Sequence, residues 1–309
     1  MCRYGIVVLN YNTYDDTKRC IDSIKKFTMR YNNYKIYVVD NASTDGSMSQ
    51  IESDYNNDEM IEIIVSEYNR GFSGGNNLGI NKAIDDGCEY IFLLNSDIIL
   101  LNDALSYMID CITANNAVIV GPTIYDPTMA YKQFARKALN LRSYLLSKGV
   151  LEKIFANTLL ELRYYRYQTE GDFVFTGMVS GCCFGLKTTF VKQYNLLDDK
   201  VFMYYEEDIL SNLLKENNLQ TCICSSAKVI HNEASATRKN NSNHLLFTRL
   251  YRWTSSLYVL KNYTNTNRFI VSLLATWNII TWTMLSITNI DYRSSLKKFV
   301  SETCRVLSE

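Results

Sequence analysis

The sequence contains few of the residues that interrupt chains or bind metals. It has two prolines and two histidines in 309 residues, and no low-complexity tract or Pro/Ser-rich linker. Its nine cysteines include an adjacent pair and a Cys-Ile-Cys but no Cys-x-x-Cys, so the spacing typical of zinc ligands is missing. We expect reduced thiols that behave as small buried hydrophobes, as in cytosolic proteins.

A charge excess of one sign is missing as well. The 32 Lys and Arg residues balance 32 Asp and Glu residues, so no basic field attracts nucleic acid. The first residues run straight into an apolar segment, without the pattern of a secretion signal, and we expect a cytoplasmic protein. With 47% hydrophobic and 21% charged residues, the chain allows one large α/β domain with an appendage, or two domains.

Short apolar runs alternate with helical patterns in the first hundred residues. Residues 5–9, 36–39, 61–65 and 90–94 are predicted strands, separated by three predicted helices. This alternation predicts a parallel sheet with right-handed crossovers. Further on, residues 118–122, 173–184 and 222–230 have strand character, about 135–167 form a helical stretch without clear assignment, and the chain from about 240 is helical.

Polar residues directly follow the predicted strands, where parallel sheets bind ligands. Asp40 is either the cap of the next helix or a group that grips a base or ribose. Asp97 is either a turn former or a ligand of a hard divalent cation that also contacts substrate phosphates. His231 ends a strand, where a structural histidine is the alternative to a functional one.

Four glycines among asparagines, at positions 71, 74, 75 and 79, predict a loop whose backbone approaches a ligand, or else ordinary turns. Their spacing matches neither the dinucleotide nor the P-loop fingerprint, which argues against both folds. The run Glu206, Glu207 and Asp208 follows an aromatic stretch. Such acids either favour a helix dipole or, being crowded, raise one another's pKa and supply a general base.

Together and in this order, these segments resemble the family 2 glycosyltransferases of GT-A fold, especially rhamnosyltransferase-like enzymes of bacterial surface polysaccharides. The resemblance covers about residues 4–235 and rests on residues 7–12, 38–47, 69–79, 94–97, 202–210 and His231. It implies an α/β fold with a mostly parallel, Rossmann-like central sheet flanked by helices. It also implies a catalytic domain over residues 1–240 and a C-terminal helical extension over 241–309.

The resemblance implies inverting transfer from a UDP- or dTDP-sugar to a glycan acceptor, with three groups of site residues. The nucleotide would be bound by Tyr11, Asn12, Asp40, Asn69, Asn77 and Asn95. Asp97, with His231 as a possible further ligand, would hold Mg²⁺ or Mn²⁺, although Asn95 replaces the first acid of the full D-x-D-type motif. Glu207 would be the catalytic base, with Asp208 as the alternative and Glu206 beside them.

Residues 269–288 carry no charge and are flanked by basic residues. This segment is long enough to span a bilayer, but its Ser, Thr and Asn content equally allows a helix that lies in the membrane interface or one that packs inside the protein. The basic flanks suit anionic lipid on the inner face of the membrane. A lipid-linked acceptor would explain such peripheral contact.

Two other functions compete with this interpretation. A sugar nucleotidyltransferase would have a Gly-rich loop with Arg and Lys after the first strand, where this chain has Asn-Tyr-Asn-Thr at 10–13. A non-catalytic binding protein of the same fold would have lost its carboxylates, whereas Asp40, Asp97 and Glu207 are all present.

Overall fold

The fold is seen in a computed structural model that describes residues 4–27, 30–131, 137–147, 151, 154–163, 173–195, 197–232 and 242–308. The strands in these ranges are β1 (Tyr4–Asn10), β2 (Tyr34–Asp40), β3 (Ile61–Val65), β4 (Tyr90–Asn95), β5 (Ile98–Leu100), β6 (Ile119–Tyr125), β7 (Phe173–Thr176), β8 (Cys183–Lys187) and β9 (Thr221–His231). They form a single sheet in the order β3-β2-β1-β4-β8-β6-β9-β5, with β7 paired to β9.

Eight of the described helices lie between these strands in the chain. They are α1 (Tyr14–Phe27), α2 (Ser47–Tyr55), α3 (Gly71–Asp85), α4 (Ala104–Ala114), α5 (Leu141–Leu146), α6 (Ala156–Arg163), α7 (Thr188–Tyr194) and α8 (Glu206–Glu216). Three helices follow: α9 (Ser242–Asn262), α10 (Arg268–Thr288) and α11 (Ile290–Ser308).

Buried strands with apolar side chains on both faces form the centre of the fold. Neighbouring residues of β1 point to opposite faces, so Ile6 and Val8 pack into one core and Val7 into the other. Ile21 of α1 and Met108 of α4 join the first core, and Ile80 of α3 joins the second. The predicted parallel sheet is confirmed, because β3, β2, β1 and β4 are neighbours and all parallel.

The structure corrects three details of the sequence prediction. The prediction of a loop at the glycines between positions 71 and 79 is wrong, because helix α3 begins at Gly71. The strand character at 173–184 belongs to two separate strands, β7 and β8. The short β5 and the helix α4 were not predicted. Part of the stretch 135–167 lies outside the described residues.

The glycines of α3 allow close packing rather than a loop. A Cβ on Gly79 would lie 2.5 Å from Val7 Cγ1, and one on Gly75 would lie 2.6 Å from Leu9 Cδ1. The interpretation of these two glycines as ligand-facing loop residues is therefore wrong, because they let the helix approach β1.

The three C-terminal helices share apolar cores with the earlier part of the chain. Leu257 and Val271 pack in one cluster with Leu139, Val201 and Ile209. Trp282 of α10 is fully buried and stacks on Phe299 of α11 at 4.1 Å between ring centroids. The predicted domain boundary near 240 falls among residues 233–241, outside the described chain, and it stays a prediction.

The described cysteines agree with the expectation of buried thiols. All eight of them are free, and seven are buried, the exception being Cys304.

Candidate active site at the carboxyl edge of the sheet

The ends of β1 and β2 are joined by a buried polar network. Asn10 and Asp40 are partners in the strand register, and Asn10 Nδ2 donates to Asp40 Oδ1 at 2.7 Å and to Ser43 Oγ at 3.0 Å. The Ser43 amide donates to Asp40 Oδ2 at 3.0 Å. Asp40 is 1% exposed and does not cap α2, whose N-cap residue is Gly46. Its carboxylate therefore fixes the two strand ends beside each other.

The loop after β1 is braced against the loop after β2. Asn12 has a φ of 58°, a conformation that Asn tolerates better than most residues. Its amide donates to Ser43 Oγ at 2.9 Å, and its Oδ1 accepts from the Thr44 amide at 2.7 Å. Tyr11, on the same loop, is 44% exposed. An aromatic ring at this position is accessible to a flat ligand.

A second polar network surrounds the start of α3. Asn69 Oδ1 accepts from Asn41 Nδ2 at 3.1 Å and from the Gly71 amide at 2.9 Å. Asn41 Oδ1 accepts from the Arg70 amide at 2.9 Å. The Arg70 guanidinium lies over the Tyr68 ring, 4.3 Å from its centroid, so it supplies a positive charge near this edge of the sheet.

Asn77 is placed differently from the other predicted nucleotide-binding residues. Its Nδ2 donates to the Leu197 carbonyl at 2.8 Å, and its Oδ1 accepts from the Leu197 amide at 3.1 Å. The side chain is 8% exposed. Asn77 therefore ties α3 to the segment that leads to α8.

Asp97 and His231 meet where β5 and β9 pair. Ile98 is opposite His231 in the antiparallel register, and His231 Nε2 lies 3.3 Å from Asp97 Oδ1. Burial of the imidazole opposes its charged form, but hydrogen bonds to Asp97 and Cys182 outweigh this effect and raise the pKa of His231 to about 10. The carboxylate and the imidazole thus form a charge-balanced pair.

This pair fits a divalent cation that shares its coordination with a substrate. Mg²⁺ in nucleotide sites is held by one or two protein carboxylates, waters and phosphate oxygens rather than by a full protein cage. Within the described ranges, no group of three or more His, Cys, Asp or Glu side chains could hold a metal. Asp97 and His231 would therefore hold such an ion only together with a ligand such as a diphosphate, and the imidazole would release its proton.

Hydrogen bonds connect the Asp40 network to the Asp97 segment. The Thr13 hydroxyl donates to Asn10 Oδ1 at 3.1 Å and lies 2.9 Å from Ser96 Oγ. Ser96 and Asp97 are each 8% exposed. The ends of β1, β2 and β4 therefore form one continuous polar edge.

Helix α8, which carries the predicted acids Glu206, Glu207 and Asp208, is joined to the same edge. The Asn95 amide donates to the Cys182 carbonyl at 2.9 Å, and the Gly181 amide donates to Glu207 Oε1 at 2.9 Å. A Cβ on Gly181 would lie 2.6 Å from that oxygen, so the close approach of Glu207 requires glycine there. The Gly181–Cys182 segment thus links Glu207 to the end of β4.

The loop before α8 is held by aromatic packing. Phe202 stacks on Tyr251 of α9 with 4.5 Å between ring centroids, and the Met203 carbonyl accepts from Ser255 Oγ at 2.9 Å. Tyr204 and Tyr205 have φ values of 67° and 72°, which are unusual for residues with a side chain. Backbone strain of this kind is concentrated at functional sites.

The three acids at the start of α8 have different surroundings. Asp208 is 3% exposed, accepts from the Leu139 amide, and receives two bonds from the Arg163 guanidinium at 2.8 Å and 3.2 Å. Glu207 lies against Gly181, and Glu206 is half-buried. All three lie in the first turn, where the helix dipole also favours acids.

Sequence reasoning missed three residues that organise the site. Asn10 follows a buried strand just as Asp40 does, and that shared position could have identified it. Arg70 stood in the predicted loop without an assigned role. Arg163 lies in the helical stretch that had no clear assignment, and its partner Asp208 is 45 residues away.

Comparisons with known proteins agree with this geometry. The family model described as glycosyl transferase family 2 matches residues 5–194. The low-salt glycan biosynthesis hexosyltransferase Agl10 of Haloferax volcanii is 23% identical over 244 residues, which are 79% of this chain and 71% of the relative. An N-acetylglucosaminyl-diphospho-decaprenol L-rhamnosyltransferase of Mycobacterium tuberculosis is 23% identical over 249 residues, 78% and 79% of the two chains.

A solved structure shows the same fold. The crystal structure of GalNAc-T7 with UDP, GalNAc and Mn²⁺ superposes with a TM-score of 0.55 at 14% identity. The match covers 74% of this chain and 42% of that chain, so this chain spans less than half the length of that structure. The family match covers more than half of this chain and agrees with its sheet and helices, so the protein is a member of glycosyl transferase family 2, a glycosyltransferase of GT-A fold.

Proposed function

We propose that this glycosyltransferase is an inverting, metal-dependent enzyme that moves a sugar from a UDP- or dTDP-sugar to a hydroxyl of a lipid-linked glycan. One observation carries the proposal. A chain of hydrogen bonds runs from Asp40 through Asn10 and Thr13 to Ser96, the residue before Asp97. The proposed donor-binding and metal-binding groups therefore share one edge of the sheet.

The donor nucleotide would lie against the loops after β1, β2 and β3. The exposed Tyr11 ring offers a face for the base. Asn12, Asp40 and Asn69 hold these loops in place because their side-chain oxygens accept from backbone amides, those of Thr44, Ser43 and Gly71 respectively. Asn95 and Asn77 belong to the same proposed donor site. Asn77 contributes by anchoring the chain at Leu197 to α3. Such preorganised loops orient a diphosphate without reordering at each turnover.

The acceptor hydroxyl would be activated by Glu207. Gly181 donates to Glu207 Oε1, which leaves Oε2 to take the hydroxyl proton. The acceptor oxygen then attacks the anomeric carbon, the bond from that carbon to the diphosphate breaks, and the nucleotide diphosphate leaves with the electron pair. A direct attack of this kind inverts the anomeric configuration. Asp208 is the weaker candidate for the base because Arg163 already engages its carboxylate.

Asp97 and His231 would hold Mg²⁺ or Mn²⁺ together with the donor phosphates. The ion would neutralise charge on the leaving diphosphate. The two side chains meet this need because the oxygen and nitrogen that would bind the ion already lie 3.3 Å apart.

The surface of α10 supports a membrane-bound acceptor. Its outward stripe of large apolar side chains recurs every three or four residues and consists of Phe269, Leu273, Trp277, Ile280, Met284 and Ile287, each 48–70% exposed. The Ser272, Thr276 and Thr283 hydroxyls donate to carbonyls four residues earlier, so they add little exposed polarity.

The opposite face of α10 packs inside the protein. Val271, Ala275 and Trp282 are buried there. The helix is long and apolar enough to cross a membrane, but crossing would pull Trp282 from its stack on Phe299. We therefore favour a helix that lies in the inner membrane interface, with exposed Arg268, Arg293 and Lys297 close to anionic lipid.

A donor-hydrolysis screen tests the proposed chemistry. UDP-, dTDP- and GDP-sugars are incubated with the wild type and with Asp97→Ala in the presence of Mn²⁺, and binding of Mn²⁺ is measured by calorimetry with UDP present. We expect one donor class to be hydrolysed by the wild type, and Asp97→Ala to lose both hydrolysis and Mn²⁺ binding.

The matched control is Asp58→Ala, which removes a carboxylate that pairs with Lys25 on the surface. If Asp97 acts through the metal, Asp58→Ala should keep both donor hydrolysis and Mn²⁺ binding. Equal hydrolysis by Asp97→Ala and the wild type would remove the metal role from Asp97.

A further inference from the structure

An open groove lies between α5 and α6, outside the donor site. Its volume is about 490 Å³, within the range of about 300–1,000 Å³ that small organic ligands occupy. The lining residues are Leu141, Arg142, Leu145, Leu146, Phe155 and Thr158. Leu145 is 42% and Phe155 is 40% exposed, so large apolar side chains line a groove that solvent reaches.

One end of the groove is fixed to α8, the catalytic helix, which carries the proposed base Glu207. Leu139, just before α5, donates its amide to Asp208 Oδ1. Arg163, the last residue of α6, pairs with the same carboxylate at 2.8 Å. Both walls of the groove therefore converge on the residue next to Glu207.

The other side of α5 contacts the helix that carries the apolar stripe. Asn278 Nδ2 of α10 donates to the Tyr144 hydroxyl at 2.9 Å, and both residues are buried. Tyr144 packs in one cluster with Val271 and Ala275 of α10. α5 therefore has the groove on one side and the buried face of α10 on the other.

Polarity changes along the groove. Arg142 lies in the first turn of α5, three residues after the Leu139 that binds Asp208. Within the described part of the chain, its guanidinium has no ion-pair partner. Leu145, Leu146 and Phe155 lie farther along the two helices from Asp208. The end near the catalytic helix is cationic, and the far end is apolar.

We propose that this groove binds the isoprenoid chain of a polyisoprenyl-diphosphate acceptor, with Arg142 at the diphosphate. The inference rests on the proposed function and adds the site of the acceptor lipid. The bound chain lies along Leu145, Leu146 and Phe155. Its phosphate end then faces the catalytic helix, where the sugar hydroxyl is needed.

The test uses geranylgeranyl diphosphate as the probe, below its micelle concentration and without vesicles, with the full-length protein in a calorimeter. Leu145→Gln combined with Phe155→Gln should weaken binding by about tenfold or more, because two large apolar contacts with the chain are lost. Arg142→Gln should weaken binding of the diphosphate but leave binding of geranylgeraniol unchanged. Both substituted apolar residues are already exposed, and thermal unfolding checks that the variants are folded.

Leu160→Gln is the matched control, since Leu160 is 57% exposed on α6 but does not line the groove. It should bind the probe like the wild type. Three outcomes would each overturn the assignment. The groove variants bind the probe as well as the wild type does, Leu160→Gln loses as much binding as they do, or binding is lost in Trp277→Gln on the α10 stripe instead. Donor hydrolysis by the wild type is measured separately, so failure of the proposed transferase chemistry is distinguishable from failure of the groove.

Discussion

The proposed donor side of the site, at the ends of β1, β2 and β4, and the proposed acceptor side, around α8, are held together in different ways. On the donor side, Asn10, Asp40 and Ser43 bind one another across neighbouring strand ends. On the acceptor side, partners come from distant segments. Asp208 binds Arg163, 45 residues away, and Met203 is held by Ser255, 52 residues away.

Under the proposed function, this difference separates the residues that bind the nucleotide from those that select the acceptor. The donor-side contacts are built into the parallel sheet, so they form whenever β1, β2 and β4 align. The acceptor side depends on α5, α6 and the C-terminal helices, which could be exchanged without altering those strand ends. One fold can thus retain nucleotide-sugar chemistry while the acceptor changes.

The largest expected effect tests the chemistry on the acceptor side. In Glu207→Gln the amide oxygen can still accept from Gly181, but it cannot take a proton. We expect kcat to fall by about 10²–10⁴-fold, the usual contribution of a general base, with the KM for the donor unchanged. Steady-state transfer kinetics measure both parameters.

The companion measurement is thermal unfolding of Glu207→Gln. A lowered unfolding temperature would attribute the loss to folding. Unchanged kcat in a stable variant would remove Glu207 as the base.

The next effect concerns stability on the same helix. Asp208→Asn removes the carboxylate that Arg163 engages at 2.8 Å, and only 15% of the Arg163 side chain is exposed. Breaking a buried pair from one side costs about 3 kcal/mol or more, which urea unfolding measures.

Glu302→Gln provides the control for this ion pair. It breaks a pair with Arg305 whose side chains are 25% and 37% exposed, and it should cost less than about 1 kcal/mol. If Asp208→Asn is as stable as the wild type and yet loses kcat as Glu207→Gln does, Asp208 is the base instead.

The contrast between the two sides also explains which features the sequence could predict. β1 to β4 are short apolar runs, each followed by polar residues, so periodicity was enough to predict the parallel half of the sheet. Asp40 and Asp97 were identified because they stand at strand ends. Local patterns of this kind determine the donor side.

The acceptor side depends on contacts between distant residues, which no local pattern records. The role of Arg163 is visible only once α6 is packed against α8. β5 has three residues and forms only because β9 provides a partner. The glycines of α3 were misinterpreted because glycine is typical both of loops and of helices that pack closely against a strand.

A smaller effect tests how tightly the donor side is packed. Gly79→Ala places a methyl group 2.5 Å from Val7 Cγ1 and 3.1 Å from Val39 Cγ2. Overpacking costs about 1–3 kcal/mol, and the 2.5 Å approach places this site at the upper end of that range. The gain in helix propensity returns about 1 kcal/mol, so we expect a net loss of about 2 kcal/mol in urea unfolding.

Asn81→Ala is the control on the same helix, because Asn81 is exposed. It should be neutral or slightly stabilising, since alanine is the better helix former. An equally stable Gly79→Ala would mean that α3 can shift away from β1, and the donor side would then be less rigid than the contacts suggest.

The smallest effect on stability is expected at α10, where a substitution should weaken membrane binding without changing the free energy of unfolding. Trp277→Gln combined with Met284→Gln changes side chains that are 66% and 65% exposed, so the free energy of unfolding should change by less than about 0.5 kcal/mol per site. Sedimentation with phosphatidylglycerol vesicles should nevertheless fall about tenfold or more, because these side chains would enter the lipid interface.

Val65→Gln, an exposed apolar residue at the end of β3, should leave vesicle binding unchanged. Trp277 also provides a direct signal, because Trp282 is fully buried and Trp277 is not. Vesicles should shift the tryptophan emission to shorter wavelength in the wild type, and Trp277→Phe should lose the shift while it still sediments. A shift that persists in Trp277→Phe would mean that lipid reaches another face, and the acceptor side would then not be positioned by α10.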